Sequence, residues 1–155
     1  IKMKAIMISI QPQWVSKILN KEKLVEIRKT KPKCELPCKV YIYCTMPNKQ
    51  ENRKPHSWEV VWLKRVVAEF TLNKVDTLER DLNDWLPKNR YDISNELLKN
   101  VNLNQEQLWN YGQGKILYAW HIDNLKIYDK PKELSEFNVK RAIQSWCYVE
   151  ELEDE

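Results

Sequence analysis

The chain has 155 residues, 43% of them hydrophobic, with seven Trp and seven Tyr, enough apolar volume for one domain with a real core and too much for a disordered chain. Only two Gly are present, which excludes a Gly-rich phosphate loop. The formal charge is a mild +4, but the first 54 residues carry thirteen Lys and Arg against four Glu, so the basic excess lies there and favours an anionic partner such as nucleic acid. Solubilising lysines would give the same count.

Residues 4–10 alternate, with Ile6, Ile8 and Ile10 on one face, and predict a first strand. Pro12 suits the first turn of a helix, where its missing N–H costs nothing, and Trp14, Val15, Ile18 and Leu19 form its apolar stripe up to Asn20–Lys21. A strand follows over 24–28. There Val25 and Ile27 point one way and Glu26 and Arg28 the other, roughly 7 Å apart along the chain. Such a strand either shows its charges to solvent or lines a polar pocket with them.

Residues 29–39 are Lys-rich, broken by Pro32 and Pro37, and read as a basic loop. Bulky residues on both faces of 39–45 suggest a central or barrel strand. Residues 46–57 read as an exposed loop whose Lys49, Arg53 and Lys54 extend a positive surface. Val66, Ala68, Phe70 and Leu72 mark the next strand, with Glu69 opposite. The spacing of Leu78, Leu82, Trp85 and Leu86 predicts a helix over 76–86, stopped by Pro87. Ser94 and Asn104 open two further helices, the second with Leu108, Trp109 and Tyr111 as its inward apolar pattern and ending at Gly112-Gln113-Gly114. A strong strand over 115–122 leads through Asp123-Asn124 to another over 125–128. Lys130-Pro131 then opens a loop, Leu134 and Phe137 plug the core, and 146–152 form a last strand.

The expected fold is a small α+β domain spanning 1–155, mostly antiparallel and barrel-like, with two to four short helices. No apolar run reaches 18 residues, no signal-peptide pattern opens the sequence, and the cysteines 34, 38, 44 and 147 lack disulfide spacing. A reduced cytoplasmic protein without membrane contact is the expectation. Cys34 and Cys38 with His56 and His121 make a poor metal set, so neither a metal nor another cofactor is expected.

The stretch Lys21-Glu22-Lys23-Leu24-Val25-Glu26-Ile27-Arg28 resembles the signature of the ASCH family, a PUA-like barrel, which reads Gly-x-Lys-x-x-Glu-x-Arg just after the first helix. Lys23, Glu26 and Arg28 are in register, and Lys21 stands where Gly is usual. Ser9-Ile10-Gln11-Pro12-Gln13-Trp14 resembles the family's entry into that helix, Val66–Phe70 its middle strand, and Ile143-Gln144-Ser145-Trp146 its entry to the final strand. The resemblance implies binding of RNA or a modified nucleoside by Ser9, Gln11, Trp14, Lys23, Glu26, Arg28 and Lys29. Arg28 and Lys23 would donate to phosphate or a base carbonyl, Glu26 would accept from an exocyclic amine, and Trp14 would offer a stacking face. Trp14 also sits on its helix's apolar stripe, where core packing would claim it.

Some small relatives hydrolyse N4-acetylated cytidine with a Lys, a Thr three residues later and a more distant Glu. Lys23 matches the Lys, and Glu26 replaces the Thr; Glu106 is one candidate among several for the third group. If the chain is an enzyme, Lys23 and Glu26 are its catalytic pair, although the carboxylate favours the charged Lys and opposes its activation. A protein-interaction module is the third class, suggested by aromatic and apolar residues between Trp85 and Trp109. His121 and Glu69 read as non-core residues outside the main constellation.

Overall fold

The computed structural model describes residues 3–48 and 54–153. Lys49 and Arg53 of the expected basic loop lie outside them. β1 (Lys4–Ile10), α1 (Pro12–Leu19), β2 (Val25–Arg28), β3 (Cys38–Cys44), β4 (Arg65–Leu72) and β5 (Val75–Leu78) come first. α2 (Asn95–Val101), α3 (Gln105–Gly112), β6 (Leu117–His121), β7 (Asp123–Lys132), a 3-10 turn (Leu134–Phe137) and β8 (Trp146–Glu150) follow.

The strands form two open sheets, one ordered β7-β4-β3-β1-β8 and the other β2-β6-β5. The expected barrel is therefore corrected: the fold is α+β, but the sheets do not close. β1 pairs parallel to β3 and antiparallel to β8, while β2 leaves for the second sheet by pairing with β6. Short alternating strands do not specify closure, because closure depends on pairings distant in sequence.

Among the described residues three apolar clusters result. Ile6, Ile8 and Ile10 of β1 meet Val15 and Ile18 of α1 and Trp120 of β6 in the first. Val25 and Ile27 of β2 meet Leu117 and Ala119 of β6, Val101 of α2 and Leu108 of α3 in the second. β6 thus buries both faces, with alternate residues serving different cores. On the far face of the large sheet, Ala5, Met7 and Tyr41 pack with Phe137, whose ring meets Tyr41 at 4.7 Å. The expected plug by Phe137 is present.

Residues 76–86 are not helical. Val75–Leu78 instead pairs with β6, and Leu82 and Trp85 are 79% and 94% exposed. A helical spacing of apolar residues cannot register a waiting strand partner, and here cross-strand pairing won. Of the apolar segment between Trp85 and Trp109, the part from Asn95 onward carries helices, and Trp85 stands exposed outside them. β7 runs through Pro131, where a loop was expected. It is an edge strand of its sheet, the position at which a residue without an N–H is tolerated. The two later helices begin as read: the Ser94 hydroxyl accepts from Leu97 N, and Asn104 forms a reciprocal cap with Gln107. At the end of α3, a Cβ on Gly112 would lie 2.0 Å from the Tyr91 hydroxyl, so no side chain fits there.

No helix among the described residues is long and apolar enough to cross a membrane. The four cysteines are free thiols. Burial, with Cys34 adding to it, pushes the Cys38 thiol up to about 12, and burial does the same for Cys44. Among the described residues no group of three His, Cys, Asp or Glu could hold a metal.

Candidate functional site

The turn between α1 and β2 prepares the site. Lys17 O accepts from both Glu22 N and Lys23 N, at 2.9 and 3.1 Å, and Leu24 N donates to Asn100 O. To make this turn, Lys21 adopts a left-handed φ of 62°. That conformation costs a side-chain-bearing residue about 1 kcal/mol, which is the physical reason a glycine suits the position.

Beyond the turn, β2 sends Val25 and Ile27 into the second core and Glu26 and Arg28 toward the seam between the sheets. Arg28 spans that seam. Its Nη1 donates to Ser9 O at 3.0 Å and its Nη2 to Ser145 Oγ at 3.1 Å. Glu26 is 8% exposed and Lys23 only 1%. Lys23 Nζ donates to Val101 O at 2.6 Å and lies 3.7 Å from Glu26 Oε1, which itself accepts from Ile27 N. Glu26 Oε2 is 3.8 Å from Arg28 Nη1, beyond hydrogen-bond distance. Burial lowers the Lys23 pKa from its ordinary value, and Glu26 only partly restores it.

Lys23, Glu26 and Arg28 open on one cavity of about 610 Å³, whose walls include Ser9, Gln11 and Trp14. Six of the seven residues singled out from the sequence are thus brought together. Lys29 is not in the lining; it is exposed, with Nζ 4.8 Å from the centre of the Tyr111 ring at the cavity's rim. Trp14 serves both expectations at once: it packs against the first core and also lines the cavity. It is half-buried in the wall, and the ammonium groups of Lys17 and Lys23 each lie 5.3 Å from its ring centre.

The opposite wall was not anticipated. α3 supplies Gln107, Asn110 and Tyr111, the segment after β3 supplies Thr45 and Asn48, and Ser145 completes the edge. Tyr111 is 38% exposed and is the more open aromatic ring. Desolvation raises its hydroxyl pKa, with Arg28 lowering it and Glu26 raising it. The one sequence signal was its place in the apolar pattern of α3, which pointed inward without saying to what.

Glu106 is exposed on α3 and outside the cavity lining. His121 is half-buried, its Nε2 2.7 Å from Asp76 Oδ2, and Glu69 accepts from the Tyr128 hydroxyl on another face. Neither lines the cavity.

No family model and no curated protein matches this chain. Solved structures do. The ASCH protein of Zymomonas mobilis is 18% identical with a TM-score of 0.62, the match covering 93% of this chain and 86% of that one. Two point-mutant forms of the same protein match at 19% and 18% identity, with TM-scores of 0.60 and 0.59, over 94% and 93% of this chain and 90% and 87% of theirs. The likeness is one of fold, and it extends over nearly the whole chain.

Proposed function

We propose that the cavity binds a nucleobase, presented by RNA or by a free or modified nucleoside, without turnover. The observation that carries this reading is the convergence of Lys23, Glu26 and Arg28 with two aromatic side chains on one hollow. Its volume falls within the range of roughly 300–1,000 Å³ usual for small-molecule sites. Glu26 is held between cations at 3.7 and 3.8 Å, distances that leave carboxylate lone pairs for an exocyclic amine. Arg28 and Lys23 give the hollow a net positive field suited to base carbonyls or phosphate. Tyr111 offers the stacking face.

The test is titration of nucleoside monomers and short RNA against wild-type protein, Arg28→Ala and Tyr111→Ala. Arg28→Ala should weaken binding at least tenfold, as expected for a charge-assisted hydrogen bond of roughly 1.5–3 kcal/mol. Tyr111→Ala should cost about 1–3 kcal/mol of stacking. Absence of binding to either probe at low salt rejects the reading.

One observation favours a second reading, hydrolysis of an acyl group from an N4-acylated cytidine: burial shifts Lys23 toward its neutral, nucleophilic form. Against it, Glu26 favours the ammonium, and the nitrogen is committed to Val101 O. Incubation with N4-acetylcytidine separates the two. Cytidine and acetate released by wild type and not by Lys23→Ala favour the enzyme; an unchanged nucleoside that nonetheless binds favours the binding module.

A further inference from the structure

The basic loop after β2 is not a loose tether. Trp120 Nε1 donates to Thr30 O at 3.1 Å and Trp146 Nε1 to Thr30 Oγ1 at 2.8 Å, while Lys33 N donates to the Tyr148 hydroxyl at 2.9 Å. The bonds to Trp146 and Tyr148 lay the segment along β8, and the bond to Trp120 ties it to β6. The lysines around it stand over aromatic rings: Lys31 Nζ lies 5.5 Å from the Tyr118 ring centre, and Lys4 Nζ, from β1, lies 4.0 Å from that of Tyr148. Lys4, Lys31 and Lys33 are all exposed, and Tyr148 is 37% exposed and packs edge-on against Trp146.

This surface is continuous with the cavity along two lines of backbone. Arg28 in the cavity precedes Lys29–Lys33, and Ser145 at the cavity edge precedes Trp146 and Tyr148. Five residues of strand from Ser145 carry it roughly 17 Å away from the cavity. Three exposed ammonium groups beside one exposed ring, Tyr148, with the half-buried Tyr118 under Lys31, on a backbone held by hydrogen bonds, suit single-stranded nucleic acid, whose phosphates take the charge.

We infer that the strip formed by Lys4, Lys31 and Lys33 with Tyr148 is a track for the phosphate backbone of single-stranded RNA leaving the cavity. The inference rests on the cavity's reading as a base site and adds what lies beyond it: the ligand is a strand, and a monomer fills only part of the surface. Lys29 sits against the cavity's own Tyr111 and is therefore left out of the test.

The test compares a nucleoside monomer with a single-stranded RNA of about eight nucleotides, a length within the usual site sizes. Both are titrated over a salt series against wild type and the triple variant Lys4→Gln, Lys31→Gln, Lys33→Gln. Three lost phosphate contacts should make the slope of log affinity against log salt shallower by about 2 for the RNA. Monomer affinity should stay the same. An unchanged slope together with intact monomer binding overturns the track and leaves the cavity reading standing. RNA binding whose slope falls in the triple variant but which ignores Arg28→Ala, with no monomer binding, supports the track and rejects the cavity.

Discussion

Two hollows of this molecule each hold a lysine beside a glutamate, and they settle the charges in opposite ways. In the cavity between the sheets, Lys23 is buried with its glutamate 3.7 Å away, and burial outweighs the pairing, so its pKa falls. Across the large sheet, a second hollow of about 740 Å³ includes Lys39 of β3 and Glu69 of β4. There Lys39 Nζ lies 3.1 Å from both Glu69 and Glu151, and Glu69 also accepts from the Tyr128 hydroxyl at 3.0 Å. Burial again works against the charge, but the two carboxylates overcome it and raise the pKa. The second cluster is an ion pair network complete in itself. The first is looser, with Glu26 3.7 and 3.8 Å from its two cations.

The widest gap between them should appear on removing the carboxylate. Glu26→Gln leaves a nearly inaccessible ammonium with no carboxylate beside it, only Val101 O and the Trp14 ring, and should cost about 3 kcal/mol of stability. Glu69→Gln leaves Lys39 with Glu151 in a partly solvated setting, and should cost about 1 kcal/mol or less. Urea denaturation of both variants checks this; equal losses would erase the distinction.

Alkaline pH gives a subtler separation. Lys23 has a folded pKa below 10.5, so between the two values the unfolded chain holds more protons at this site and stability rises with pH. Lys39 has a folded pKa above 10.5, so its contribution is complete below that value and is lost as pH rises through the higher one. Subtracting the stability profile of Lys23→Met from wild type should therefore leave a rising curve, and of Lys39→Met a falling one. Slopes of the same sign would show that both lysines are governed alike.

The smallest effect tests the turn that delivers Lys23. Lys21→Gly should relieve the left-handed strain at φ 62°, offset in part by glycine's greater unfolded freedom, for a gain of at most about 1 kcal/mol. A rise of a few degrees in Tm with unchanged nucleoside affinity is the expected result. A loss of stability would mean that Lys21 contributes something its backbone does not reveal.

What could be read from the residues was local. Ile6, Ile8 and Ile10 marked β1, Pro12 marked the start of α1, and Ser94 and Asn104 marked their helices, because each signal lies within a few residues of its effect. The alternation at Val25–Arg28 correctly divided apolar from charged side chains. What failed depended on distant partners. Val75–Leu78 became a strand because β6 stood ready to pair with it, and the sheets stayed open because β2 joined β6 and left β1 to β3 and β8. The wall of α3 was hidden for the same reason: Tyr111 lies far along the chain from Arg28, and nothing near either residue names the other.

Ser145 adopts a φ of 136°, a conformation that costs a residue other than glycine on the order of 1–3 kcal/mol, and the structure holds it there with a reciprocal clasp. Ser9 N and Ser9 Oγ donate to Ser145 O at 2.7 and 2.8 Å, Ser145 N donates to Ser9 Oγ at 3.1 Å, and Arg28 reaches both serines. The guanidinium at the mouth of the hollow is thereby the rivet joining the opening strand to the closing one. Loss of the guanidinium in Arg28→Ala should therefore loosen the junction of these two strands, read as faster amide exchange at Ser9 and Ser145.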